Sequence, residues 1–174
     1  MIHDSPMTAR MRHIANVAKL KSLSLLDTEA EDCFDEVVAV ACSLFDVPTA
    51  LVSLLDMDRQ WFKARQGLDA AETPLDISFC QFAVRTRDVM VVLDATKDER
   101  FVDNPLVTGD PHIRFYAGAP LTVGGGFRIG TLCLIDRTAR SAFPLADRNL
   151  LRGLGIIVSE LIEGRAARMQ LDAD

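Results

Sequence analysis

Clustered basic residues, long apolar runs and metal-ligand spacings are all missing from this chain, and each absence removes a class of function. Its 174 residues hold 19 Lys and Arg against 25 Asp and Glu, a formal net charge of −6. A surface for nucleic acid needs clustered cations to displace counterions, so the charge balance argues against that partner. No apolar run reaches the roughly 18 residues that a membrane-spanning helix needs. The opening stretch, MIHDSPMTARMRHIANVAKL, contains no apolar signal core, so the expected location is cytoplasmic. Cys33, Cys42, Cys80 and Cys133 form no CxxC, and no His/Cys pair has zinc-finger spacing. In a reducing compartment all four cysteines read first as small buried apolar residues. His3, His13 and His112 are scattered, so no metal site is expected. No Ser-His-Asp set, phosphate loop or pair of acids in a pocket is readable; no catalytic residue is expected and no cofactor can be named.

What is present is enough apolar material, 49% of residues, to build the core of one domain. Residues Met7 to Leu26 carry Met11, Ile14, Val17 or Ala18, and Leu25 at helical spacing. Thr28 followed three residues later by Glu31 reads as a capping box opening a helix that runs to about Phe45. Ala50–Asp56 reads as a first strand and Arg59–Gln66 as a second, whose polarity suggests a sheet edge or a half-exposed position. Trp61 is expected at the sheet margin, or as an aromatic lid. Gly67 to Ile77 reads as a loop. Ser78 should cap a short helix ending near Arg87, and Val89–Leu93 is a third strand. The connection from Asp94 to Ile113 is about twenty residues long, a length that often covers a site. Asp98 with Arg100, and Asp103 with Asn104, could hold a ligand there, but more often such groups pin a loop.

The stretch RFYAGAPLTVGGGFRIGTLCLID, Arg114 to Asp136, organises the rest as a β-hairpin. With Gly124 and Gly125 as a two-residue turn, Phe115, Ala117, Ala119, Leu121, Leu132 and Leu134 share one apolar face. Tyr116, Gly118, Pro120, Thr131, Cys133 and Ile135 share the other, where small and polar residues leave room for a ligand. A three-residue turn would slide the second strand by one position and spoil that division. Both faces could equally be plain core. Pro144 precedes a long helix, from about Leu145 to Met169, whose apolar stripe is wider than one sheet face requires. The order of elements gives an α+β fold with helices from both chain ends on one face.

Five collinear motifs, RQWFKARQGL, ISFC, DERFVDNPLV, RFYAGAPL and GTLCLID, resemble a GAF domain. The likeness is to the bacterial subgroup found with histidine kinases and diguanylate cyclases, in two-component and related signalling. It implies an antiparallel sheet of five to six strands, with terminal helices on one face and a loop-covered pocket on the other. It divides the chain into a helical lead-in (1–26), the GAF domain (27–163) and a C-terminal helix extension (164–174). It implies a non-catalytic sensor that binds an unidentified small molecule and signals through its terminal helices as a parallel homodimer, with a kinase or cyclase as output. Phe79, Cys80, Tyr116, Gly118, Thr131 and Cys133 are then the candidate ligand-binding residues. Neither Cys80 nor Cys133 precedes a histidine, which speaks against bilin attachment. Phe34-Asp35-Glu36 lacks the partner motif of cyclic-nucleotide-binding members. Two alternatives stand beside the sensor: a thiol-dependent reductase of the free methionine sulfoxide type using Cys80 and Cys133, and a dimerisation module with a collapsed, ligand-free pocket.

Overall fold

The computed structural model describes residues 5–173; His3 lies outside them. The chain begins with helix α1 (Pro6–Ser22), capped by the Ser5 hydroxyl, which accepts the Thr8 N–H. Helix α2 (Asp32–Phe45) follows, then strands β1 (Thr49–Leu55), β2 (Arg59–Gln66) and β3 (Glu72–Pro74). A short helix α3 (Cys80–Ala83), strand β4 (Met90–Val92) and a short helix α4 (Pro105–Thr108) come next. Strands β5 (Phe115–Val123) and β6 (Phe127–Asp136) form the hairpin, and helix α5 (Leu145–Leu171) completes the chain. All pairings are antiparallel, in the order β3-β2-β1-β6-β5-β4. The architecture is the α+β, six-stranded open sheet expected.

The hairpin turn is not the two-residue one. Gly124, Gly125 and Gly126 form a three-residue connection closed by Val123 opposite Phe127, with φ of 86° at Gly125 and 79° at Gly126. Such φ values cost glycine nothing and strain other residues. The longer turn alone would have flipped the faces of β6. A β-bulge compensates: Thr122 pairs with Arg128 while Leu121 pairs with Gly130, so Ile129 is the extra residue. One residue added in the turn and one in the bulge restore the even side-chain period. The two faces therefore carry the residues expected of them.

One face packs under the long helices. Phe115, Ala117, Ala119, Leu121, Leu132 and Leu134 bury against Phe34, Val38 and Ala41 of α2 and Leu151, Val158 and Ile162 of α5. Trp61 belongs to this core and is no lid. The other face holds Leu51, Leu55, Phe62, Tyr116 and Cys133 beneath α3 and the connection from β4 to β5.

Four local expectations are corrected. No capping box opens α2: Glu31 is its N-cap residue with no side-chain cap bond, and Thr28 instead donates to the Leu25 carbonyl. Tertiary pairing outcompetes the local motif, because Glu31 binds Lys63 at 2.6 Å and Arg165 at 2.8 Å. Strand β2 is not an edge, since β3, which was read as loop, pairs with its first three residues; Lys63, further along, is only 3% exposed because its ammonium binds at the entry of α2. The inner stripe of α1 is Asn16, Val17 and Leu20, whereas Met11 and Ile14 are 65% and 47% exposed. The short helix after Ser78 ends at Ala83 and does not reach Arg87.

Candidate functional site

The loop-covered sheet face brings the sequence-predicted residues together. Ser78 sits just before α3, where its Oγ accepts the Cys80 N–H at 3.0 Å and donates to Gln60 Oε1 at 2.9 Å. That pairing sets Cys80 over the middle of the sheet. From below, the Thr131 hydroxyl donates to Cys80 Sγ at 3.1 Å and the Tyr116 hydroxyl at 3.3 Å. Cys133, next to Gly118 across the hairpin, places its sulfur 3.9 Å from that of Cys80; both thiols are free. Gly118 leaves the space Tyr116 needs, because a Cβ there would lie 2.3 Å from the tyrosine oxygen. Phe79 stacks on Phe101 with ring centroids 3.9 Å apart and planes 5° from parallel, and its ring lies 5.3 Å from that of Tyr116.

Phe79, Cys80, Tyr116, Thr131 and Cys133 are all buried on this face, beneath α3 and the connection from β4 to β5. Three clefts at the surface are lined by other residues. The long connection is pinned down. Arg100 binds Asp98 through two nitrogens at 2.9 and 2.7 Å and lies over the Phe101 ring. Asn104 caps α4 and donates to the Ile77 carbonyl at 3.0 Å.

Burial works against ionising either sulfur, and it splits the pair. Desolvation opposes the Cys80 thiolate, but hydrogen bonds, chiefly from Cys133, Thr131 and Tyr116, outweigh it and bring this thiol below its ordinary value. Cys133 is pushed well above the ordinary value by its hydrogen bond to Cys80 and by burial. Tyr116 is likewise pushed up, first by burial and then by the neighbouring thiols. Cys80 is therefore the sulfur that loses its proton first, although nothing cationic touches it.

Sequence reasoning missed a second layer of polar groups. The Ser53 hydroxyl donates to Gln60 Oε1 at 2.9 Å, and Gln60 Nε2 donates to Thr73 Oγ1 at 2.6 Å. Ser53, Gln60 and Ser78 are buried, so the network is closed within the protein. Ser53, a polar residue within the apolar run ALVSLL, was the available signal; Gln60 stands in the polar strand RQWFKARQ and carried none. Among the described residues no group of three or more His, Cys, Asp or Glu is placed to hold a metal ion, and no helix is long and apolar enough to cross a membrane.

A six-stranded antiparallel sheet, with terminal helices on one face and short helices and a pinned connection on the other, defines a GAF-type domain. The GAF domain family model matches residues 29–162, and the chain belongs to that family. It is 50% identical over 133 residues to a cyclic di-GMP phosphodiesterase of Pseudomonas aeruginosa, an alignment covering 76% of this chain and 22% of that protein. The chain thus spans about a fifth of this curated relative. Among solved structures it resembles the GAF domain of a phosphoenolpyruvate-protein phosphotransferase from Coxiella burnetii (TM-score 0.66, 14% identity, 92% of this chain and 98% of that one). It also resembles the free methionine-R-sulfoxide reductase of Neisseria meningitidis (TM-score 0.63, 19% identity, 98% of each chain). At such identities these two likenesses concern the fold alone.

Proposed function

We propose that the chain is a non-catalytic regulatory GAF module of a longer signalling protein, acting as a parallel homodimer through its terminal helices. The observation that carries this is the outward side of α5. Leu150, Leu154, Ile157 and Leu161 recur at alternating spacings of four and three, the repeat of a two-helix seam. Leu150 and Ile157 are 44% and 47% exposed and Leu154 and Leu161 are half-buried at the edge of the core, while the sheet is served by Leu151, Val158 and Ile162, about 100° further round the helix. Met7, Met11 and Ile14 of α1 add exposed apolar surface. The likeness to one part of a cyclic di-GMP phosphodiesterase supports an output in that chemistry, and the motifs support the kinase- and cyclase-associated subgroup.

In this reading the ligand site on the sheet face is closed, with Phe79 and Tyr116 filling it, which favours the dimerisation scaffold over an open sensor. A ligand-binding form is the second reading. It is favoured by the density of buried polar groups around Cys80, Thr131, Ser53 and Gln60, more than a mere core requires. Binding there would displace Phe79 from Phe101, and would bias the helices only through unequal affinity for two arrangements. Native mass spectrometry reads both questions at once. The expected mass is that of a dimer, with Ile157→Glu giving a monomer of native fold. A monomer from the wild-type protein, or an Ile157→Glu dimer, refutes the seam; a bound small molecule selects the second reading.

A further inference from the structure

A cleft of about 430 Å³ lies between the N-terminal half of α1 and the segment around α3, away from the packed sheet face. That volume falls in the range of small-molecule sites. Arg10, Arg12 and His13 line it from α1, and Gln81 and Arg85 from the other side. Among the described residues no acidic side chain lines it, in a protein whose net charge is −6. Pro6, at the first turn of this 17-residue helix, lines it too, and that turn contains no acidic residue. An anion in the cleft would therefore also lie beside the positive end of the helix. A third observation is independent of the charges: His13 Nε2 is buried and has no hydrogen-bond partner among the described residues. A buried unpaired ring nitrogen is costly, and an acceptor toward which the imidazole can turn would remove that cost. Arg85 stacks over Phe82, with its guanidinium 5.2 Å from the ring, which holds that cation at the rim.

We infer that this cleft binds a phosphorylated small molecule, and that occupancy clamps α1 onto the domain. Phosphate fits because a planar guanidinium meets it through two parallel hydrogen bonds, and Arg10 and Arg85 can share its charge from the two sides. The clamp follows from how thinly α1 is held. Asn16, Val17 and Leu20 are its buried residues, and all of them lie in its C-terminal half. A ligand bridging Arg10 and His13 to Gln81 and Arg85 would fasten the other half. Such a ligand would raise the population of docked α1 in proportion to its preference for that state. The site does not rest on the proposed dimer.

The test uses the whole chain with inorganic pyrophosphate and with guanosine 5′-monophosphate, read by isothermal titration at low salt, alongside uncharged guanosine. Both phosphorylated probes should bind and guanosine should not. Arg10→Ala and Arg85→Ala should each weaken binding about tenfold, the loss expected for one charge-assisted contact. At saturation with either probe, amide exchange over residues 6–14 should slow. Arg10 is exposed, so Arg10→Glu keeps the test valid if Arg85→Ala does not fold. The dimer mass should stay the same in all variants, which separates this outcome from that of the α5 seam. Absence of heat with both probes, undiminished affinity in the Arg10 variants, or binding without slowed exchange over 6–14 would overturn the inference.

Discussion

Replacing Lys63 by methionine is the sharpest probe of how the domain is held together. The Lys63 side chain is fully buried, and its ammonium reaches Glu31 Oε2 at 2.6 Å, the Glu29 carbonyl at 2.6 Å and Thr28 Oγ1 at 2.9 Å. It joins β2 to the entry of α2. Through Glu31 it is also linked to Arg165 of α5, which donates to the Ser24 carbonyl at 3.0 Å. Methionine keeps the length and most of the volume, so little cavity opens. What is lost is the cation, leaving the Glu29 carbonyl unpaired. Breaking one side of a buried pair costs about 3–5 kcal/mol. Glu31 is one-third exposed and keeps Arg165, which places the expected loss near the lower end, about 3 kcal/mol. At roughly 2–4 °C per kcal/mol for a domain of this size, the melting temperature should fall by about 6–12 °C. Urea unfolding can be followed by the fluorescence of Trp61, which lies in the helix-side core on the same strand. The midpoint should move while the slope stays constant. A loss under about 1 kcal/mol would refute the reasoning, since it would mean that the ammonium contributes no more than an exposed pair.

Two further outcomes follow from the same contacts and from the thiols. Burial raises the pKa of Glu31, but hydrogen bonds from Lys63 and Arg165 outweigh it and hold the carboxyl below its ordinary value of 4.5. Its contribution to stability is complete above the unfolded-state value and disappears as pH falls through the folded-state value. The stability gap between wild type and Glu31→Gln should therefore shrink as pH drops from about 6 toward about 3; a constant gap in urea titrations would contradict this. Iodoacetamide at neutral pH should modify half-buried Cys33 and spare Cys80 and Cys133 in the native protein, as mapped by peptide mass spectrometry. Modification of Cys80 as fast as Cys33 would show that the sheet face opens, and would revive the thiol-reductase alternative.

Much of the fold was legible because periodicity reports burial directly. The strands Arg59–Gln66 and Phe115–Val123 and the helix from Leu145 carried their own patterns. Tyr116, Gly118, Thr131 and Cys133 could be grouped from alternation, Phe79 and Cys80 joined them through the family resemblance, and they do meet. Their grouping survived a wrong turn only because the bulge at Ile129 offset it, and nothing local in RIGTL announces a bulge. Strand β3 was hidden because three residues are too few to show a period. Glu31 looked like half of a capping box because its true partners stand 32 and 134 positions away, at Lys63 and Arg165.

By itself the amino-acid order determined which residues within one strand or helix share a face, since side-chain direction along an element depends only on local backbone geometry. It also determined the family, whose motifs lie along the chain. How the second face is covered was decided by tertiary structure alone. Phe79 and Phe101 come from separate segments, and only their stacking over Tyr116 closes the space. The basic cleft has the same origin: Arg10 and Arg85 are 75 positions apart, and only the docking of α1 beside α3 gives their charges a common cavity.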